Sequence, residues 1–165
     1  MQFSKSSLIL SVLFFLITVP VLAMSQSGLD DKAKKAVQSG NVDLLERWIK
    51  NGGDIDHTTE HGNTLLIMAA KIGDKRTIEF LLSKQPKVNH QNKAGATALM
   101  VAAKYGQGHV VDMLLDNGAD PTLRNESGSS AAQFALAYDH QEISQKLERA
   151  MIAQYRKSQQ VTPNS

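Results

Sequence analysis

The 165-residue sequence contains no cysteine. That single absence removes disulfide staples, thiol nucleophiles, thiolate metal sites and cysteine-linked lipids. Stability must therefore come from packing. Charge of one sign is also not in excess, since 18 Lys and Arg stand against 16 Asp and Glu for a formal net charge of +2. No broad basic field is available to draw the chain onto nucleic acid or an acidic membrane, so partners must be selected by shape. A G-x-S-x-G elbow, a phosphate-binding glycine loop and a dinucleotide fingerprint are missing as well, which removes the common hydrolase and nucleotide-binding readings.

One long hydrophobic run is present. Lys5 precedes an apolar stretch from Leu8 to Val19, broken only by Ser11 and Thr18, and followed by Pro20 and Val21-Leu22-Ala23. The stretch is shorter than the roughly 20 residues of a membrane-spanning helix, and Pro20 falls where such a helix would continue. Residues 1–23 therefore read as a secretory signal peptide cleaved after Ala23, with the mature chain beginning at Met24. Because residue 24 is not cysteine, lipoprotein processing is not expected. The flank Ser25-Gln26-Ser27-Gly28 is polar at once, which argues against an uncleaved anchor. The expected location is periplasmic or secreted, from a bacterial source.

The rest of the chain repeats itself. Gly62, Gly95 and Gly128 recur at a step of 33 residues, as do Gly40, Gly73 and Gly106, with Asp139 completing that second series. Thr64, Thr97 and Ser130 share the step. So do the apolar series Trp48, Leu81, Leu114, Leu147 and Ala36, Ala69, Ala102, Ala135. A fixed period of this size marks a stacked array in which each unit buries its apolar surface only against neighbours. Within a unit, Thr64 can cap a short helix over Leu65 to Ile72 that ends at Gly73, and a second helix follows from about Asp74 to Lys84. Asn117-Gly118-Ala119-Asp120 supplies the turn that returns the chain toward the next Gly.

Gly95-Ala96-Thr97-Ala98-Leu99-Met100-Val101-Ala102-Ala103-Lys104-Tyr105-Gly106, followed by Val110-Val111-Asp112-Met113-Leu114-Leu115-Asp116-Asn117-Gly118-Ala119-Asp120, resembles the ankyrin-repeat family. The resemblance implies an all-α solenoid of about four helix-turn-helix units with hairpin loops. Units are expected at about 27–57, 58–90, 91–123 and 124–157, within a domain spanning 24–157. The first and last units are expected to act as caps, and 158–165 to be a disordered polar tail. Two departures stand out. The family's Pro and His after the Thr are replaced by Leu65 and Ile67, by Ala98 and Met100, and by Ala131 and Gln133. Gln85 stands where the family places a glycine at positive φ, at an expected cost of about 1 kcal/mol.

His57-Thr58-Thr59-Glu60-His61 is a literal H-x-x-E-H, the pattern of inverted zinc peptidases. That chemistry needs a helix, where the two histidines share a face around the metal. By the 33-residue step these residues fall at an inter-repeat loop tip, and two threonines before Gly62 oppose helix formation. A zinc-dependent hydrolase through His57, Glu60 and His61 is therefore the remote alternative, and no catalytic residue, metal or cofactor is expected. Trp48 is read as core from its register with Leu81 and Leu114. The basic residues Lys146, Arg149, Arg156 and Lys157 are read as complementing the end of the last helix.

The resemblance places partner binding on the concave side, formed by the hairpin tips and the first helix of each unit. The rows there read Ser39, Ile72, Tyr105, Tyr138 and Gln38, Lys71, Lys104, Ala137. Aromatic anchors beside lysines suit an interface hot spot. Along the tips stand Glu60, Lys93 and Glu126, with His61 and Asn63 beside the first. The expected function is a non-enzymatic, monomeric protein-binding module without nucleic-acid binding, and without a membrane span after signal cleavage. An inhibitor or immunity protein of an exported enzyme, and a secreted host-directed effector, are the other expectations.

Overall fold

The computed structural model describes residues 31–160. The expected signal peptide and its expected cleavage site lie outside that range. Eight helices and no strand occur among the described residues. They are α1 (31–38), α2 (Val42–Lys50), α3 (Leu65–Ile72), α4 (Lys75–Ser83), α5 (Ala98–Lys104), α6 (Gly108–Asp116), α7 (Ala131–Ala137) and α8 (Gln141–Gln160). Consecutive helices form four antiparallel pairs. The first helices of the pairs stack on one another, α3 on α5 and α5 on α7, and the second helices stack behind them, α2 on α4 and α4 on α6. The result is a two-layered solenoid.

The inner helices start alike because their caps are alike. Thr64, Thr97 and Ser130 have extended backbones, and each side-chain oxygen accepts the N–H three residues on, from Ile67 at 3.3 Å, Met100 at 3.2 Å and Gln133 at 3.4 Å. Ile67 and Met100 fill the family's histidine position with buried apolar surface. Gln133 does something different there. Its Oε1 accepts from Ser130 N at 2.9 Å and closes a capping box.

Small residues let the inner helices approach. Ala69, Ala102 and Ala135 are at most 1% exposed. Behind them Leu81, Leu114 and Leu147 are fully buried and Trp48 is 4% exposed, so this row is core throughout. Each such side chain contributes about 1.5–3 kcal/mol of burial. The longer last helix follows the sequence expectation, and it continues through Gln160, so Ser158 to Gln160 are helical and do not begin a tail. The apolar series Ile143, Leu147, Met151 and Tyr155 ends before this stretch, but Arg156 to Gln160 are good to moderate helix formers and no glycine or proline interrupts them before Pro163. Residues 161–165 lie outside the described range.

Each hairpin tip closes through two backbone bonds. Gly62 N donates to Thr59 O at 2.8 Å and Thr59 N to Asn63 O at 3.0 Å, and the pattern repeats at Asn92 to Ala96 and Asn125 to Ser129. Successive tips are then tied together, Lys93 N to His61 O at 3.1 Å and Glu126 N to Ala94 O at 3.2 Å. The tip glycines answer two demands at once. Gly62 and Gly95 hold φ of 75° and 71°, and a Cβ on them would lie 2.9 Å and 2.7 Å from the backbone nitrogen of the next tip. Gly128 keeps the positive φ but a Cβ there meets nothing, since among the described residues no further tip packs on it.

Candidate functional site

Between the tips and the inner helices runs an open groove of about 750 Å³. Its floor is the row Met68, Val101 and Phe134, half-buried side chains one repeat apart, together with Ile67 and Met100. These floor residues were not singled out from the sequence. Their signal is a 33-residue apolar series like those of the core, and periodicity alone does not separate a groove floor from a buried row.

On the helix side of the groove, Ile72, Tyr105 and Tyr138 are 41%, 43% and 49% exposed. They terminate α3, α5 and α7, where the chain turns toward the outer helix, so their side chains project past the packed alanines. The neighbouring lysines fold over the rings. Lys71 Nζ stands 5.3 Å from the Tyr105 centroid, while Lys104 Nζ lies 5.8 Å from Tyr105 and 4.9 Å from Tyr138. Cation and ring faces attract at this range. Lys71, Tyr105, Lys104 and Tyr138 thus form one alternating ladder across three successive repeats.

The tip side of the groove carries Glu60, His61 and Asn63. Glu60 Oε1 and His61 Nε2 lie 3.5 Å apart, both exposed. Asn63 is engaged within the scaffold, its Oδ1 accepting from Asn92 Nδ2 at 2.7 Å. Lys93 and Glu126 are exposed on the next two tips and do not line the groove. The ladder and the first tip are therefore brought together, while Lys93, Glu126 and the ring of Tyr138 border the groove from outside.

The H-x-x-E-H residues lie in the loop between α2 and α3, not on a helix, so His57 and His61 do not share a helical face. Among the described residues no group of three or more His, Cys, Asp or Glu is placed to hold a metal ion. Lys146 pairs with Asp112 of the preceding unit, Nζ to Oδ2 at 2.7 Å, so this basic residue serves inter-repeat packing.

The family described as ankyrin repeats (3 copies) matches residues 34–125 and again 88–159. The chain belongs to the ankyrin-repeat family. Comparison with curated proteins returns no match. Ankyrin repeats are protein–protein interaction modules and typically non-enzymatic, so the family directs attention to the groove as a surface for another protein. No helix among the described residues is long and apolar enough to cross a membrane.

Proposed function

We propose that this ankyrin-repeat chain is an exported, non-catalytic binding protein that holds a protein partner in its concave groove. The observation that carries this reading is the exposed row Ile72, Tyr105 and Tyr138 beside an apolar floor. Large apolar side chains left in solvent along one continuous face are the surface a partner would cover. Export is supported by the Lys5, Leu8–Val19 and Ala23 pattern, which leads to the periplasm or beyond it.

The test is affinity capture from the cell envelope of the source organism, with the wild-type chain beside a Tyr105→Ala/Tyr138→Ala variant. Trp48 is the sole tryptophan and is buried, so its fluorescence reports whether the variant is folded. A partner retained by the wild type and lost by the folded variant is the expected result. Equal retention by both, or no retained protein, overturns concave-face binding. The mass of the isolated protein separately checks export, expected to correspond to Met24–Ser165.

A further inference from the structure

We infer that the groove is built for an extended acidic segment of the partner, whose two carboxylates, one repeat apart, dock on Lys71 and Lys104 with an apolar side chain between them. The inference rests on the protein-binding reading above and narrows it to one chemistry.

Beyond the first unit, whose helix α1 carries Asp31 and three lysines, the charge of the two helical layers is segregated. The inner helices α3, α5 and α7 contain no Asp or Glu, and their only charged residues are Lys71 and Lys104. The outer helices carry acids, and three of them are paired there. Lys50 pairs with Glu46 at 3.1 Å, Lys75 with Glu79 at 3.7 Å, and Lys146 with Asp112. In α1, Asp31 stands 3.5 Å from Lys34. Among the described residues no carboxylate pairs with Lys71 or Lys104, and both ammonium groups rest instead on tyrosine rings. Ring stacking limits the rotamers of these long side chains, so less freedom remains to be lost when an anion arrives.

Spacing and floor define the rest of the occupant. Stacked helices stand about 8–10 Å apart, which an extended chain rising 3.1–3.4 Å per residue covers in about three residues. Carboxylates about three positions apart would reach the two lysines together. Met68, Val101 and Phe134 lie below that line and suit an apolar side chain, Met68 adapting its shape to it. On the opposite rim Glu60 is the charged carboxylate that lines the groove, while Lys93 and Glu126 alternate on the next two tips outside it. A segment acidic along one edge therefore has one favourable orientation. A nucleic-acid strand fits poorly, because its evenly spaced phosphates would meet three groove lysines at most, one of them, Lys34, already beside Asp31, and would face Glu60.

The test begins with selection of a displayed random-peptide library on the full chain, followed by fluorescence anisotropy with the best peptide and its copy in which Asp and Glu become Asn and Gln. Enrichment of paired acids is expected. The amide copy should bind at least about tenfold more weakly, and Lys71→Met/Lys104→Met should weaken the acidic peptide about as much and flatten its salt dependence. Lys50→Met/Lys75→Met, on the outer face, should leave affinity unchanged. Peptides that need Tyr105 and Tyr138 but carry no acidic pair, and bind the groove-lysine variant as well as wild type, overturn this inference and leave concave-face binding standing. Peptides indifferent to both tyrosines and lysines overturn both readings. A selection without binders overturns the acidic-segment inference and leaves the affinity capture to decide the broader one. Tighter, lysine-dependent binding of an oligothymidylate or of phosphatidylglycerol vesicles overturns it by reassigning the lysines to phosphate.

Discussion

Gln85 occupies the place in its unit that Gly118 occupies one repeat later, and both hold a left-handed backbone, φ 55° at Gln85 and 83° at Gly118. The turn after the outer helix demands this conformation whatever residue supplies it. A non-glycine residue there costs about 1 kcal/mol, and glycine returns part of that gain through its greater freedom when unfolded. Gln85→Gly is expected to stabilise the chain by about 0.5–1 kcal/mol. In urea the unfolding midpoint should rise with the slope unchanged. A lowered midpoint would mean that the glutamine side chain contributes contacts that outweigh the backbone cost.

Trp48 and Gly53 are matched in the same way within the first unit. A Cβ on Gly53 would lie 2.3 Å from Cδ2 of the Trp48 ring, so the indole occupies the space above the glycine. In the next units the pairing is Leu81 with Pro86 and Leu114 with Ala119, a smaller core residue above a larger turn residue. Gly53→Ala is expected to destabilise by about 1–3 kcal/mol through overpacking. It should also shift the tryptophan emission, since Trp48 is the only reporter. Unchanged emission and stability would show that the turn moves aside without resistance.

The architecture was legible because the 33-residue step places cap, core and turn residues together. Thr64, Thr97 and Ser130 named the helix starts, and the row of Trp48, Leu81, Leu114 and Leu147 named the core. The ladder was legible in part: Ile72, Tyr105 and Tyr138 were recognisable as a row, but the stacking of Lys104 between two rings depends on the rotation between units, which no residue spacing encodes. Met68, Val101 and Phe134 share the period of every buried row and so look like core in sequence. Asn63 reads as a free polar tip until Asn92 of the next tip is seen to engage it. The end of α8 was missed because polar residues after Tyr155 carry no stop signal before Pro163.

Asp74 links stability to pH. Its carboxylate accepts from Thr77 Oγ1 at 2.5 Å and from Thr77 N at 2.8 Å, capping α4. The Thr77 hydroxyl and then its N–H hold the acid below its ordinary value of 3.8, with Arg76 assisting and burial opposing. As pH falls the unfolded chain takes up this proton before the native chain does. The stabilisation is therefore complete above the unfolded value and is lost as pH falls through the lower native one. Asp74→Asn keeps a capping oxygen without the charge, so its stability should fall less than that of wild type between about pH 5 and pH 2. Parallel stability curves from urea titrations across this range would remove Asp74 from the acid response.

Leu136 shows where the stack ends. Its equivalents one and two repeats earlier, Ala103 and Ala70, are fully buried, because the following unit packs directly on them. Leu136 is 61% exposed, and among the described residues no fifth inner helix covers that face. The same position should therefore respond oppositely to size in the two contexts. Leu136→Ala is expected to change stability by no more than about 0.5 kcal/mol, the range of ordinary surface substitutions. Ala103→Leu forces a large side chain between α5 and α7 and is expected to cost about 1–3 kcal/mol or more. Thermal and urea unfolding of the two variants measure this directly. A large loss from Leu136→Ala would show that this leucine is covered in solution, either by part of the chain beyond residues 31–160 or by a second molecule, and a dilution series would distinguish them because only the second depends on concentration.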